Sequence, residues 1–230
     1  YWKSLGEEAS DAGTAMHNVL EDFVNGRMDE DEDVVDKRSG KAPWMVIMFL
    51  DFLDRYYPEL ELKPWRSELR VFMRHPSYGV PLIAGSIDLV MIDKNGNYHI
   101  IDFKRIKPSK GLLGKASTTT KHFKKRNASG PFSEYEASEY NKYSAQLLTY
   151  KYILETEFKM KVASCVLLQM HPDMPNLKPH WVEAADLEDA VDTFMESLVQ
   201  EKQEEFQDGQ EAARKRIREH ADAADGESAA

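Results

Sequence analysis

Apolar residues recur at three- and four-residue steps near the start of the chain. Over residues 10–26 this spacing predicts an amphipathic helix, with His17 and Glu21 one turn apart on the same face. A second apolar run predicts a helix over about residues 43–57, because Pro43 suits a first helical position and another proline follows the run. The chain therefore opens with two helices.

The spacing changes to alternation in the middle of the chain. This alternation predicts strands over residues 65–74, 82–92 and 98–105, and the Asn95-Gly96 pair between the last two is a strong hairpin signal. Three further elements are then expected: a long helix over about residues 139–158, a buried strand over 161–170 and a final helix over about 186–206.

The order of these elements predicts the fold class. Helix, three strands, helix and strand give an α/β (α+β) fold with an αβββαβ core, in which helices flank a mixed central sheet and extra helices lie at both ends. A hydrophobic content of 42% in 230 residues is enough for one substantial core. We expect one domain over residues 1–207, and a frayed helical or disordered tail over 208–230.

Composition restricts the classes of protein. The single cysteine, Cys165, lies in an apolar run, so one chain can hold neither a disulfide framework nor a cysteine-rich metal cluster, and a reducing, intracellular setting is expected. No apolar stretch approaches the roughly 20 residues that cross a bilayer, so no membrane partner is expected.

Positive charge is concentrated in one segment of an acidic chain. The net charge is −10, yet Lys104 to Arg126 contains nine Lys or Arg and no Asp or Glu. Such a segment is often only a solvated loop, but here it connects the third predicted strand, which contains Asp102 and Lys104, to the following helix. We expect a loop over residues 105–135 that clamps a phosphate backbone with little sequence preference through Arg105, Lys107, Lys110, Lys115, Lys121, Lys124, Lys125 and Arg126.

Two carboxylates interrupt apolar strands. Asp88 lies in one arm of the predicted hairpin and Asp102 in the other, and burying both requires compensation, for which a divalent cation is suited. Asp102 and Lys104 are two residues apart and share a face of the sheet, while a bulge or stagger is needed to bring Asp88 beside them. The alternative is an ordinary surface ion pair and a strand-ending aspartate, which the apolar flanks disfavour.

Four motifs in order resemble a known family. They are Gly13-Thr14-Ala15-Met16-His17, Gly85-Ser86-Ile87-Asp88, Asp102-Phe103-Lys104 and Gln146-Leu147-Leu148-Thr149-Tyr150. Together they resemble the RecB-type branch of the PD-(D/E)xK nuclease superfamily, over about residues 2–198, and the expected order of helices and strands matches that family's restriction-endonuclease-like core. Individually the motifs are weak, and their order carries the resemblance.

The resemblance implies roles for particular residues. Lys104 would contact the attacking water or the scissile phosphate, and Gln146 and Tyr150 would hold the substrate backbone or orient Lys104. With these three, Asp88 and Asp102 complete the expected catalytic set. The implied metal ligands are His17, Asp88, Asp102 and the backbone carbonyl of Phe103, with Glu68 as a candidate for a second metal site.

The expected function is metal-dependent hydrolysis of DNA, at single-stranded ends or flaps, with one or two Mg²⁺ or Mn²⁺ ions. The imidazole ligand favours Mn²⁺. Neither an iron–sulfur cluster nor a nucleotide cofactor is expected, because their cysteine and glycine-rich motifs are missing from the sequence. Three alternatives stay open: an RNA endonuclease of the cap-snatching type, a catalytically inactive DNA-binding module with the same fold, and an interaction protein that recruits partners through its acidic surface.

Overall fold

A computed structural model describes the backbone at residues 2–27, 43–56, 58–115 and 126–227, and the side chains at residues 10–27, 43–56, 58–115 and 126–217. Three of the predicted phosphate contacts, Lys121, Lys124 and Lys125, lie outside the described residues.

A five-stranded mixed sheet forms the centre of the protein. The strands are β1 (Lys63–Arg74), β2 (Pro81–Ile92), β3 (Tyr98–Arg105), β4 (Val162–Met170) and β5 (His180–Glu183), and they lie in sequence order across the sheet. β3 and β4 pair in parallel, whereas the other neighbours are antiparallel. The parallel pair follows from the helical crossover between β3 and β4, as predicted.

Helices cover both faces of the sheet. They are α1 (Trp2–Val24), α2 (Trp44–Arg55), α3 (Glu139–Thr156) and α4 (Glu188–Glu227). Two clusters of buried apolar residues lie on opposite faces of the sheet. The first cluster contains Ile100 of β3 and joins one face to α3 and α4. The second cluster contains the next residue, Ile101, and joins the opposite face to α1 and α2. This arrangement confirms the predicted α/β fold class.

The predicted Asn-Gly hairpin connects β2 to β3. Gly96 has φ 82°, a conformation that glycine adopts without strain. The Asp93 carboxylate accepts hydrogen bonds from the backbone N–H groups of Asn95 and Asn97, both at 2.8 Å, and from the Asn97 side chain. These bonds fix the turn and hence the register of the two strands that carry the aspartates.

The structure differs from the prediction mainly at its ends. β5 was not predicted, because its four residues are too few to show a clear alternation. α1 begins at Trp2 rather than near residue 10, and α4 continues as one helix to Glu227, past the helix end expected near residue 206. Within the described residues, no helix is both long and apolar enough to cross a membrane.

Candidate metal centre and active site

The sheet is irregular where β2 carries Asp88. Ile87 packs in the first cluster and Leu89 in the second, so the alternation of faces is interrupted between them. Asp88 Oδ2 accepts a hydrogen bond from the backbone N–H of Phe103 at 2.7 Å. The carboxylate thus satisfies a backbone donor of β3, as a strand neighbour would. This irregularity holds Asp88 next to the segment that contains Asp102, Phe103 and Lys104.

α1 places the ring of His17 against the same segment. Its Nε2 lies 2.9 Å from the carbonyl oxygen of Phe103, and its Nδ1 lies 3.5 Å from Asp88 Oδ2. In the neutral tautomer in which Nε2–H donates to the carbonyl, Nδ1 presents a lone pair toward the carboxylate. Metal-binding histidines are commonly oriented by such a bond from the other ring nitrogen. The Phe103 carbonyl, for which a role as metal ligand stays a prediction, accepts from His17 in this tautomer.

Glu68 lies close to both of these residues. One ligand atom from each of His17, Glu68 and Asp88 lies within 4.8 Å of the others, and Asp102 does not join this group. Ser86 Oγ donates to Glu68 Oε2 at 2.9 Å. The backbone of Glu68 has φ 46°, in the left-handed region that costs a residue with a Cβ about 1 kcal/mol or more. Unusual backbone of this kind is common at functional sites.

Lys104 and Asp102 form an ion pair on the opposite face of β3 from the Phe103 side chain. Asp102 is buried, with 5% of its surface exposed, and its Oδ2 contacts Lys104 Nζ. The same ammonium lies 4.6 Å from the centre of the Tyr143 ring on α3. The Tyr143 ring thus contacts Lys104 directly. That Gln146 and Tyr150 hold the substrate backbone or orient Lys104 stays a prediction. Tyr143 was missed because no motif contains it.

Both aspartates are held in surroundings that disfavour negative charge. Burial, followed by the negative charge of Asp102, raises the pKa of Asp88 to about 6. Burial also raises the pKa of Asp102, although the positive charge of Lys104 opposes this effect. Two neighbouring carboxylates that are buried are poorly solvated when ionised, and a nearby cation would stabilise their charged forms.

The donor set suits a divalent cation. His17 offers an imidazole nitrogen, and Glu68 and Asp88 offer carboxylate oxygens, a mixed set that fits Mn²⁺ or Mg²⁺. A polar cavity of about 550 Å³ opens beside them and is also lined by Arg70 and Ser86. The residues present therefore fit a metal site that is open to a substrate.

Gln146 and Tyr150 lie on α3, which packs over β2. Gln146 Nε2 donates to the Tyr150 hydroxyl at 2.9 Å, with Gln146 exposed and Tyr150 buried. The ring of Tyr150 lies against the backbone of Gly85, which brings two of the four sequence motifs into contact.

The described part of the basic segment follows β3 and contacts β4. Lys107, Lys110, Lys115 and Arg126 are exposed, and Arg105 is partly buried. Gln169 of β4 accepts from Leu113 N at 2.9 Å and donates to the Gly111 carbonyl at 3.0 Å. This buried glutamine fastens the beginning of the predicted clamp to the sheet.

A model of the PD-(D/E)XK nuclease superfamily matches residues 3–230, almost the whole chain. The chain belongs to the PD-(D/E)XK nuclease superfamily. Members of this superfamily generally act as nucleases that depend on divalent metals, which agrees with the donor set and the neighbouring lysine.

Other comparisons add little to this assignment. None of the curated proteins matches this PD-(D/E)XK chain. The solved structure titled "Crystal structure of SSO0001" is 15% identical over 68% of this chain, with a TM-score of 0.32. The chain spans 59% of the length of that protein.

Proposed function

We propose that this protein is a RecB-type member of the superfamily that hydrolyses phosphodiester bonds of DNA at single-stranded ends or flaps, with Mn²⁺ or Mg²⁺ bound by His17, Glu68, Asp88 and Asp102. The observation that carries the proposal is the group of three ligand atoms within 4.8 Å, beside an ion-paired lysine on the next strand. The order of the four motifs supports the RecB-type assignment.

The residues of the site have distinct tasks. A divalent cation held by His17, Glu68, Asp88 and Asp102 would supply Lewis-acid chemistry and would lower the pKa of a water molecule, which could then attack phosphorus. The protein itself supplies a positive charge through the Lys104 ammonium, which stabilises the negative charge that develops on the phosphate oxygens. The Phe103 carbonyl holds the His17 ring by its Nε2, and the Phe103 N–H holds Asp88, so both side chains are oriented before substrate binds.

DNA is preferred over RNA in this proposal on the strength of the RecB-type motifs. The exposed lysines that follow β3 support binding to a phosphate backbone, with an affinity that falls as salt rises. The free, buried thiol of Cys165 supports the proposal that the protein acts in a reducing, intracellular setting.

The test is cleavage of matched oligonucleotides. Labelled single-stranded DNA, flap DNA, duplex DNA and RNA of one sequence are incubated with the full chain in Mn²⁺, Mg²⁺ or EDTA. We expect metal-dependent cleavage of single-stranded or flap DNA, faster in Mn²⁺ and absent in EDTA. Asp88→Asn and Lys104→Met should each lower kcat at least about 100-fold, the scale of losing one electrostatic contributor to a transition state.

Matched controls separate the proposal from its alternatives. Asp51→Asn removes a carboxylate of α2 that pairs with Arg55, away from the donor group, and should leave cleavage unchanged. Cleavage of RNA alone would replace the DNA substrate by an RNA substrate. DNA binding without cleavage in any metal would show an inactive binding module.

A further inference from the structure

The edge strand β1 presents arginine and phenylalanine to solvent next to the metal cavity. Leu69, Val71 and Met73 pack in the first apolar cluster, so the alternating residues between them point to the opposite face. Those residues are Arg70, Phe72 and Arg74, and all three are exposed. We call this row the β1 stripe.

The stripe is continuous with the candidate active site. Arg70 lines the same cavity as His17 and Glu68. Phe72 and Arg74 follow it along the strand, and the separation from Arg70 to Arg74 is about 13 Å at 3.3 Å per residue. A chain that enters the cavity can thus lie along β1 without leaving the protein surface.

The segment from Leu69 to Ile87 is basic in a chain that is acidic overall. From Leu69 to Ile87 the sequence contains no Asp or Glu, while the whole chain carries −10. Within the described residues, neither Arg70 nor Arg74 forms an ion pair with a carboxylate. Arg74 Nη1 donates instead to the Gly79 carbonyl at 3.1 Å, which holds its guanidinium beside the stripe. Unpaired guanidinium groups are suited to phosphate oxygens.

Phe72 distinguishes this row from ordinary protection of a sheet edge. Charged residues alone prevent edge strands from pairing with other chains, whereas an exposed aromatic ring works against that purpose. Phe72 is 45% exposed, and the Arg74 guanidinium lies 5.3 Å from its ring centre. An exposed ring beside positive charge is the combination that stacks an unpaired base and holds its phosphate.

We propose that the β1 stripe binds the single-stranded part of the DNA substrate, with an unpaired base on Phe72 and phosphates at Arg70 and Arg74. This inference rests on the proposed function and extends it with a path for the strand. Duplex DNA offers no open base to Phe72, so the stripe favours single strands over duplexes.

The test is binding in EDTA, where cleavage is prevented. Fluorescence anisotropy is measured with labelled single-stranded and duplex DNA over a series of salt concentrations. Phe72→Leu should weaken single-strand binding about fivefold or more, the scale of one lost stacking contact, and leave duplex binding unchanged. Phe72→Tyr keeps the ring and should bind single strands as the wild type does. Melting temperatures show whether each variant is folded.

The phosphate contacts of the arginines are tested by the salt dependence of single-strand binding. Arg70→Ala should lower single-strand affinity and reduce the slope of log K against log salt by about 0.7, the share of one phosphate contact. Lys161→Ala removes one exposed positive charge immediately before β4, and should leave the slope and the affinity as they are.

The outcomes separate this inference from the proposed function. Unchanged single-strand binding in Phe72→Leu, or an equal loss for single strands and duplexes, overturns the β1 stripe even when the wild type cleaves DNA in Mn²⁺. Ring-dependent single-strand binding in a protein that never cleaves supports the stripe and overturns the nuclease proposal.

Discussion

Gly85 and Tyr150 are in direct contact where β2 meets α3. A Cβ atom added to Gly85 would lie 2.5 Å from the Tyr150 hydroxyl oxygen and 2.7 Å from its Cζ, closer than real Cβ contacts. Gly85 is therefore the residue that leaves room for the Tyr150 ring, whose hydroxyl accepts from Gln146. The glycine of one motif is explained by the tyrosine of another.

Replacing Gly85 by alanine should displace this ring. Because Tyr150 is buried, we expect Gly85→Ala to lower the free energy of unfolding by about 1–3 kcal/mol, the usual cost of overpacking, and to reduce nuclease activity. Urea unfolding and cleavage rates measure the two effects. Gly209→Ala is the control, because a Cβ there meets no atom within 4 Å and alanine favours the helix. A Gly85→Ala variant of wild-type stability would show that the ring moves aside freely.

Removing the Tyr143 ring should loosen the Lys104 ammonium. We expect Tyr143→Leu to lower kcat about two- to thirtyfold, the range of a cation–π contact, with little change in KM. Tyr143→Phe keeps the ring and should retain most of the activity. Steady-state kinetics of both variants decide the matter, and equal losses would mean that the hydroxyl, rather than the ring, is what Lys104 or the substrate requires.

Glu68 should lower the free energy of unfolding through its backbone conformation while its carboxylate contributes to metal binding. Asparagine adopts the left-handed backbone more readily than glutamate, so Glu68→Asn should raise the free energy of unfolding by about 1 kcal/mol. The same change removes a carboxylate of the donor group and should reduce the rise in melting temperature on adding Mn²⁺. Glu61→Asn is a matched control, since Glu61 has φ 52° but pairs with Lys94 away from the donor group. It should gain stability and keep the full response to Mn²⁺.

Asp93 should make stability depend on acid pH. Its side-chain hydrogen bond with Asn97, together with bonds from the turn backbone, holds the pKa of Asp93 well below its usual range. A lowered folded-state pKa stabilises the protein at pH values above the unfolded pKa of about 3.9, and this contribution disappears as pH falls through the folded-state pKa. Asp93→Asn should therefore be less stable than the wild type at pH 7. The difference should shrink below about pH 4 in thermal melts, and a constant difference would contradict the assignment.

The regular part of the fold was predictable because it follows local periodicity. The alternation of Leu89, Val90 and Met91 between the two apolar layers, and the Asn95-Gly96 turn, are visible in the sequence. β5 could not be predicted, since four partly exposed residues gain their structure from pairing with β4.

The sequence pointed to residues that the structure places close together, but not to their arrangement. The order of the motifs pointed to His17, Asp88, Asp102 and Lys104. The position of Glu68 in the donor group depends on its left-handed backbone, which cannot be predicted from the residue type. The contact between Tyr143 and Lys104 could not be predicted, because it joins residues that are distant in sequence and depends on how α3 packs over β3.

The hydrogen bond from Phe103 N–H to Asp88 has a practical consequence. This amide belongs to the backbone of the sheet, and it donates to an oxygen atom of Asp88, a carboxylate of the candidate metal centre. Its proton is a natural spectroscopic reporter: the chemical shift and solvent exchange of one backbone resonance should register the loading of the centre without any label at the ligands themselves.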